Sequence, residues 1–475
     1  MGSSNQSKAL TDFLSLTGGE LVGKVSGFIA FTYLARSLSP EDYGGVELAF
    51  GLLALFAIVV DFGFGPIGAK AIANSKNNAT AISEEILSSR LLLAIGSIPV
   101  MIFIGATLDL SDSAKFLIII MSFSLLFTAC HQKWIPQGLE KMNLVSASQA
   151  LKMSVFMVCI VLLVENEEQI YAIGLIEILA CAVTGLYFLA IQKKHLNTVS
   201  IVSSFGRIRS LFGQARFIGG SIMVWSLTQN IPIIALAVLV GPIEVAWYGA
   251  ASRIANALSS FSMVYHFNMY PTVAERLSSS PDAYTEFSEP SMKITAWGGI
   301  FVAFMFTVIA EPLCTFVFGS EYANASLTLS ILIWIIPITI LSAHARWLLI
   351  AANKQHFSMI ARSTGCVACL FLTLILAPYF KAPGAAVAMI TAFLIVWLLE
   401  HVLAAKHVVG IPFKPVIMPL AISMIWLIVS YFLELSSTKS IFLLITGFVL
   451  SAVIFDRKLY TDIPKLIKIK SFSNA

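Results

Sequence analysis

The stretch SLTGGELVGKVSGFIAFTYLA, residues 15–35, is the first long apolar run of the chain. A bilayer-spanning α-helix needs about 20 predominantly apolar residues, so this run is long enough to cross a membrane. It also contains two charges, Glu20 and Lys24, whose spacing of four residues places them on one face of a helix. Charges are costly inside a bilayer. They therefore indicate either a structural ion pair or groups that face a water-filled cavity.

The same apolar pattern continues along the whole chain. Of its 475 residues, 58% are hydrophobic and 12% are charged, and the mean hydropathy is +0.87. Soluble domains contain about 25% charged residues. The apolar runs are continuous and do not alternate with polar residues, which favours helices over an outer-membrane barrel. We therefore predict an all-α polytopic membrane protein with fourteen spans. The predicted spans are 13–35, 43–62, 88–107, 114–134, 143–164, 169–191, 214–239, 244–269, 292–318, 326–350, 358–379, 384–405, 412–434 and 438–455.

The distribution of Lys and Arg supports this topology and predicts its orientation. With the N-terminus in the cytoplasm, only four of the 30 basic residues fall in outside loops: Arg36, Lys115, Lys381 and Lys439. Lys24 and Arg253 lie inside predicted spans, and the remaining basic residues, Lys152 among them, are counted on the cytoplasmic side. This bias follows the positive-inside rule. It predicts a multi-pass membrane protein with both termini in the cytoplasm.

A weak internal repeat predicts two similar lobes. Pro40, Tyr43 and Gly44 correspond to Pro242, Tyr248 and Gly249, and Lys141 aligns with Lys354. Six spans separate the copies, so both cross the membrane in the same direction, as in several transporter folds with a midplane binding site. We expect two pseudo-symmetric six-helix lobes around a central cavity. The predicted segments are an N-terminal lobe (1–192), a cytoplasmic linker (193–213), a C-terminal lobe (214–407), two further spans (408–456) and a basic tail (457–475).

Polar residues inside spans 1, 7 and 8 are the candidate substrate site. Arg253, Asn256 and Ser260 form one polar stripe on span 8, because they are spaced three and four residues apart. Span 7 adds Gln229 and Asn230. Basic side chains bind phosphate oxygens through charge-assisted hydrogen bonds, so Lys24 and Arg253 suit an anionic, sugar-bearing cargo. Alternatively, Arg253 could cap a backbone carbonyl of a neighbouring helix.

Three charged residues near the cytoplasmic ends of spans 2, 3 and 7 are a candidate inner gate: Asp61, Arg90 and Arg216. Positive-inside anchoring explains the two arginines equally well. The glycines at 63–68 match a dinucleotide-binding fingerprint, but they follow a membrane span and not a β-strand. We expect them to form a turn, and we predict no cofactor. The CxxC motif at Cys366 and Cys369 lies within a span and predicts no metal site. His344, His401, Glu177 and Glu400 are interpreted as packing or helix-end residues without an assigned role.

Several stretches resemble a known family. YLARSLSPEDYGGVELAFGLLALFAIVVDFGFGPIGAKAIA (33–73) resembles the N-terminal signature of bacterial polysaccharide and O-antigen flippases. QGLEKMNL (137–144), FGSEYANASLTLSILIWIIPI (318–338) and LIAANKQ (349–355) resemble later segments of the same family. The family belongs to the multidrug/oligosaccharidyl-lipid/polysaccharide exporter superfamily.

The resemblance implies a protein of the bacterial cytoplasmic (inner) membrane that flips undecaprenyl-diphosphate-linked oligosaccharides through a cationic central cavity. It also implies basic residues in spans 1, 2 and 8, as in related lipid II flippases. Lys24 and Arg253 occupy comparable positions, but span 2 has no basic residue between Tyr43 and Asp61. A third cation would have to come from elsewhere, for example from Arg36 or Arg216.

We therefore predict a flippase and not an enzyme. Its expected partners are a lipid-linked oligosaccharide, membrane lipids and polysaccharide polymerase or chain-length proteins, without nucleic acid. A drug or cation antiporter of the same superfamily is the first alternative. Its cavity would need acids, for which Glu20 and Asp61 are the only candidates, and the excess of cations argues against it. A membrane polysaccharide polymerase or ligase is the second, and the short outside loops argue against it.

Overall fold

The computed structural model describes residues 2–74, 76–197, 199–201, 205–432 and 438–456. These residues form helices joined by short connections, without a β-strand among them. The chain divides into two compact units, Met1–Gly249 and Ala250–Ala475. The division falls inside one helix, Pro242–Ser279. The lobe boundaries and the 193–213 linker remain a prediction, and the predicted tail lies outside the described residues.

Ten helices precede the helix that contains the division. They are α1 (Gly2–Ser37), α2 (Pro40–Asp61), α3 (Phe64–Asn74), α4 (Lys76–Thr107), α5 (Asp112–Ser122), α6 (Ser124–Thr128), α7 (Trp134–Gly138), α8 (Met142–Leu163), α9 (Ile170–Leu196) and α10 (Phe205–Leu239). The others are α11 (Pro242–Ser279), α12 (Pro281–Val308), α13 (Ala310–Phe318), α14 (Ala325–Leu332), α15 (Ile335–Ala351), α16 (Gln355–His407), α17 (Lys414–Phe432) and α18 (Thr438–Phe455).

The helices confirm the predicted class of all-α polytopic membrane protein. Within the described ranges, nine helices are long and apolar enough to cross a membrane. The predicted number of fourteen therefore stays a prediction. Three predicted spans correspond to broken helices, such as α14 followed by α15. Conversely, α16 covers two predicted spans, and Lys381 interrupts it with a non-helical backbone (φ 53°, ψ −136°). Two predicted spans are counted once in α16, and the short helices α5 to α7 replace another, so the length criterion accepts fewer spans than hydropathy predicts.

Helix α2 shows how the local sequence determines its ends. Ser39 caps its first turn, because the Asp42 backbone N–H donates to Ser39 Oγ at 3.3 Å, and Pro40 occupies a position where no N–H is needed. The helix ends where Phe62 and Gly63 adopt left-handed conformations, with φ of 43° and 73°. The predicted turn after span 2 is therefore confirmed at Gly63, whereas Gly65 and Gly68 lie within α3 and not in the turn. Glycine favours such a conformation because it has no Cβ.

Small residues bring α1 close to α8. A Cβ atom placed on Gly19 would lie 2.0 Å from Ser146 Oγ, and one on Gly23 would lie 3.0 Å from Gln149 Cγ. Glycines four residues apart lie on one face of a helix and allow backbones to approach closely in membranes. Glu20 and Lys24 each directly follow one of these glycines, so the contact with α8 fixes the orientation of both charges about the α1 axis.

Gly44 is a second close approach, and it leads to a prediction about stability. A Cβ atom at this position would lie 1.9 Å from the Pro242 carbonyl oxygen, so Gly44→Ala must displace backbone. We expect a loss of about 1–3 kcal/mol, the usual cost of overpacking, and a melting temperature several degrees lower. Gly96→Ala is the matched control, because no atom lies within 4 Å of its Cβ position. Equal melting temperatures for the two variants in detergent would contradict the prediction.

Candidate functional site

The two charges of α1 differ in their surroundings. Lys24 is exposed and Glu20 is half-buried. Glu20 makes no hydrogen bond or ion pair with any described residue, so the structure does not support the structural Glu20–Lys24 pair. Neither side chain is fully covered by other described residues of the chain. The other alternative, in which Glu20 and Lys24 face an aqueous space, therefore stays a prediction.

The polar stripe of α11 lies in the second unit. Arg253 and Ser260 are half-buried and Asn256 is exposed. Ser260 Oγ donates to the Asn256 carbonyl oxygen at 2.9 Å, so this hydroxyl is already satisfied within its own helix. Ser260 is therefore a weaker candidate for contact with a ligand than Asn256.

On α10, Gln229 and Asn230 are half-buried. Asn230 Nδ2 donates to the Ser226 carbonyl oxygen at 2.9 Å, and its Oδ1 lies near Gly51 of α2. Gln229 Oε1 is buried and has no hydrogen-bond partner among the described residues. Buried polar atoms are normally bonded, and one without a partner needs an explanation such as water or a ligand. Gln229 thus remains a candidate, whereas Asn230 is bonded within its own helix.

Two of the three predicted gate residues form an ion pair. Arg90 Nη2 lies 2.5 Å from Asp61 Oδ1, and Arg90 Nη1 donates to the His131 carbonyl oxygen at 2.9 Å. Arg90 is only 4% exposed. The pair links the end of α2 to α4 and to the chain before α7. Arg216 is not part of it: this residue is exposed, and its guanidinium lies 4.7 Å from the centre of the Phe217 ring.

The Asp61–Arg90 pair leads to a second stability prediction. Asp61→Asn removes the charge opposite a buried guanidinium, which costs about 3–5 kcal/mol when both groups are dry. The Asp61 side chain is 34% exposed, so solvent screening reduces our expectation to about 1–3 kcal/mol. Glu41→Gln is the control, since it removes the same charge at an exposed position of the same helix. Thermal unfolding in detergent measures both variants. A shift for Asp61→Asn no larger than that of the control would refute the role of the pair.

A buried ion pair that the sequence reasoning missed lies between α8 and α9. Lys152 Nζ lies 2.7 Å from Glu177 Oε1, and Cys181 Sγ donates to the same oxygen at 3.1 Å. The assignment of Lys152 to the cytoplasmic side was wrong, because this residue lies ten residues into α8. A basic residue so deep within its own predicted span was the available signal. Glu177 is buried as expected, but it has a charged partner.

Helix α2 contains a further buried acid, which is not among the candidates predicted from the sequence. Glu47 is 3% exposed, and the Tyr43 hydroxyl donates to Glu47 Oε1 at 2.6 Å. A Cβ atom on Gly249 would lie 2.5 Å from Glu47 Cγ, so the first unit encloses this carboxyl tightly. The spacing of four residues between Tyr43 and Glu47 was the signal in the sequence. Besides Glu20 and Asp61, Glu47 is a third acid of the kind that the antiporter alternative requires.

The second unit buries an acid of its own. Glu400 is fully buried, with Arg346 Nε at 3.5 Å from its Oε1 and the Ser358 hydroxyl donating to the same oxygen. Arg346 Nη2 also donates to Ser342 Oγ at 2.9 Å. Among the described residues, no group of three or more His, Cys, Asp and Glu side chains is arranged to hold a metal ion. The expectation that no metal is needed stays a prediction.

Known proteins resemble this chain in sequence and in fold. Residues 9–276 match the family described as "Polysaccharide biosynthesis protein". A protein of Escherichia coli K12 named "Putative O-antigen transporter" is 25% identical over 371 residues, which is 76% of this chain and 88% of the relative. A protein of Shigella dysenteriae with the same name is 22% identical over 378 residues, 75% of this chain and 90% of the relative.

Solved structures share the fold at low sequence identity. A lipid II flippase, MurJ in an inward closed conformation, matches with a TM-score of 0.74 at 15% identity, over 94% of this chain and 99% of the flippase. An inward-facing multidrug transporter of the MATE family, from the MOP superfamily, matches with a TM-score of 0.60 at 14% identity, over 82% of this chain and 94% of that one. These matches confirm the fold class and the resemblance drawn from the sequence. The chain belongs to the polysaccharide biosynthesis protein family.

Proposed function

We propose that this protein is a flippase that moves an undecaprenyl-diphosphate-linked oligosaccharide across the bacterial cytoplasmic membrane for surface polysaccharide synthesis. The observation that carries the proposal is the match to the polysaccharide biosynthesis family over more than half of the chain. Two relatives named as O-antigen transporters and the fold shared with a lipid II flippase support it. Alternating access is the mechanism that this class of transporter fold uses.

Within this proposal, Lys24 and Arg253 bind the diphosphate. Each can form a charge-assisted hydrogen bond with a phosphate oxygen, and arginine can form two at once. Asn256, Ser260, Gln229 and Asn230 would supply hydrogen bonds to sugar hydroxyls, and Glu20 would balance Lys24 or take part in ion coupling. The membrane potential can supply direction, because one charge moved through 100 mV gains about 2.3 kcal/mol.

Reconstitution tests the proposed activity directly. Proteoliposomes with an undecaprenyl-diphosphate oligosaccharide distributed over both leaflets are treated with a membrane-impermeant glycosidase. We expect the substrate to move between leaflets, so that the glycosidase digests more of it than in protein-free liposomes. Undecaprenyl phosphate without sugar serves as a competitor. If the protected fraction equals that of empty liposomes while the protein is folded and inserted, the proposed function is wrong.

A drug or cation antiporter is the second candidate, and Glu47 is the observation that favours it. This acid is buried in a predicted span, as a coupling carboxyl would be. Accumulation of a fluorescent cation in cells that express the protein separates the two candidates. Under the flippase proposal, neither expression nor Glu47→Gln changes accumulation. Efflux that depends on Glu47 would favour the antiporter.

Cysteine labelling tests where the two cations lie. In a background without the six native cysteines, Cys at position 24 or 253 should react with a charged, impermeant thiol reagent, and bound lipid-diphosphate oligosaccharide should protect both. Positions 30 and 250 are matched controls on the same helices, because Ala30 and Ala250 are fully buried and should not react. If positions 24 and 253 label no faster than these controls, the cations do not face an aqueous cavity.

A further inference from the structure

One sequence motif occurs twice in the chain, 213 residues apart. His131-Gln132-Lys133-Trp134 corresponds to His344-Ala345-Arg346-Trp347. A left-handed residue follows each motif at the same distance, Glu140 with φ 56° and Asn353 with φ 57°. The next residue closes the same turn in both copies: Lys141 N donates to Pro136 O and Lys354 N to Leu349 O, both at 2.8 Å. The two motifs therefore share a local backbone conformation.

The two histidines hold their motifs in place. His131 Nε2 lies 2.9 Å from the Cys181 carbonyl oxygen, and His344 Nε2 lies 3.0 Å from the Tyr265 hydroxyl. Trp134 is buried and packs over Gly68, where a Cβ atom would lie 2.4 Å from its ring. The basic residue between histidine and tryptophan is thus carried on a fixed backbone in both copies.

The basic residues themselves are in different situations. Arg346 is compensated by the buried Glu400 and by Ser342, as described above. In the first unit, the buried acid between α8 and α9, Glu177, is bound by Lys152. Lys133 is exposed, and its side chain makes no hydrogen bond or ion pair with any described residue. The same motif thus presents a compensated cation in one unit and an uncompensated one in the other.

Lys133 is exposed, and the motif that carries it contacts both ion pairs of the first unit. Arg90 Nη1 donates to the His131 carbonyl oxygen at 2.9 Å, and His131 Nε2 lies 2.9 Å from the carbonyl oxygen of Cys181, whose thiol donates to Glu177. Four charged groups from four helices act on the Lys133 ammonium: Glu20 of α1, Asp61 of α2, Arg90 of α4 and Lys152 of α8. The two cations have the larger influence and the two acids the smaller. An ammonium in a positive potential without a protein partner is electrostatically costly, and a bound anion removes this cost.

We propose that Lys133 is the contact for a phosphate anion in the first unit, with Arg90 and Lys152 contributing to the attractive potential. The ligand chemistry is a phosphate or diphosphate group, either of a lipid or free in solution. Only the choice of a lipid diphosphate as the natural source rests on the proposed flippase function. Lys133 is not among the site residues predicted from the sequence. It lies at the predicted cytoplasmic end of a span, where the positive-inside rule already accounts for a lysine.

Binding measurements on the full-length protein in detergent micelles test this site. The probes are farnesyl diphosphate, inorganic diphosphate and farnesol, which lacks phosphate. Lys133→Gln should weaken diphosphate binding about tenfold or more, since a hydrogen bond to a charged group is lost. Lys133→Arg should retain binding, and farnesol should bind all variants equally. Tighter binding of farnesyl diphosphate than of inorganic diphosphate would identify a lipid as the source.

Two control variants separate binding from folding. Lys141→Gln removes the same charge eight positions further along the same connection, where Lys141 Nζ lies 2.8 Å from His195 Nε2, and it should bind like wild type. Arg346→Gln should lower the melting temperature without weakening diphosphate binding. Lys133→Gln should weaken diphosphate binding without lowering the melting temperature. Diphosphate affinity of Lys133→Gln within about twofold of wild type would overturn the proposal. This outcome leaves the flippase function untouched. Conversely, binding that depends on Lys133 in a protein that flips no oligosaccharide would refute only that function.

Discussion

Glu177→Leu should reduce the free energy of unfolding by about 3–5 kcal/mol, because it leaves the Lys152 ammonium without its counter-charge between α8 and α9. The side chain of Glu177 is 3% exposed and that of Lys152 is 24% exposed, so most of the surroundings of the remaining ammonium are protein. The Cys181 thiol loses its acceptor in the same variant. The loss is large compared with the total stability of most proteins, so we expect poor expression and a much lower melting temperature.

A second substitution decides whether the ion pair is the cause. Lys152→Met combined with Glu177→Leu removes both charges, and replacing a buried pair by apolar residues is often neutral or stabilising. The double variant should therefore be more stable than Glu177→Leu alone, which a double-mutant cycle on melting temperatures will show. Glu168→Leu, at an exposed position before α9, should have little effect. Additive losses in the double variant would exclude the pair as the explanation.

Lys24→Ala together with Arg253→Ala should abolish surface polysaccharide export. Hydrogen bonds to charged groups contribute about 1.5–3 kcal/mol each, so losing two should reduce transport at least about 100-fold. Export is measured as surface polysaccharide in a deletion strain complemented with each variant at equal membrane protein levels. Each single variant should lose about tenfold or more.

The control for this experiment removes two positive charges elsewhere. Lys70 in α3 and Lys406 at the end of α16 are both exposed, and neither is a candidate for substrate contact. Lys70→Ala with Lys406→Ala should retain export, so any loss in the first pair reflects position and not net charge. Normal export by Lys24→Ala with Arg253→Ala would refute the assigned site, even within the same family.

The fold class was predictable because it depends on segment length and hydropathy, which are local properties of the chain. The turn at Gly63 followed from local chemistry in the same way. Side-chain partners were not predictable, because they depend on which helices pack together. The sequence predicts that Asp61 and Arg90 both lie near the cytoplasmic ends of their spans, but it does not show that they form an ion pair.

For Lys152, the prediction from the sequence was wrong and not merely incomplete. The positive-inside count treats each lysine as an independent surface charge, and this assumption fails where a helix 25 residues away supplies a carboxylate. The motif around Lys133 was visible only in part, through the alignment of Lys141 with Lys354. Recognising the contrast between Lys133 and Arg346 required their surroundings, which the sequence does not contain.

The contact between α1 and α8 has a consequence for biogenesis. Ser26 Oγ and Ser154 Oγ lie 3.4 Å apart in the finished protein, although 128 residues separate them in the chain. Chains are synthesised at about 5–20 residues per second, so α1 waits roughly 6–25 s for its partner helix. During that time Glu20 and Lys24 stand in a newly inserted helix that has not yet found its packing surface. The first span of this protein therefore depends on the insertion machinery or on lipid headgroups until α8 arrives.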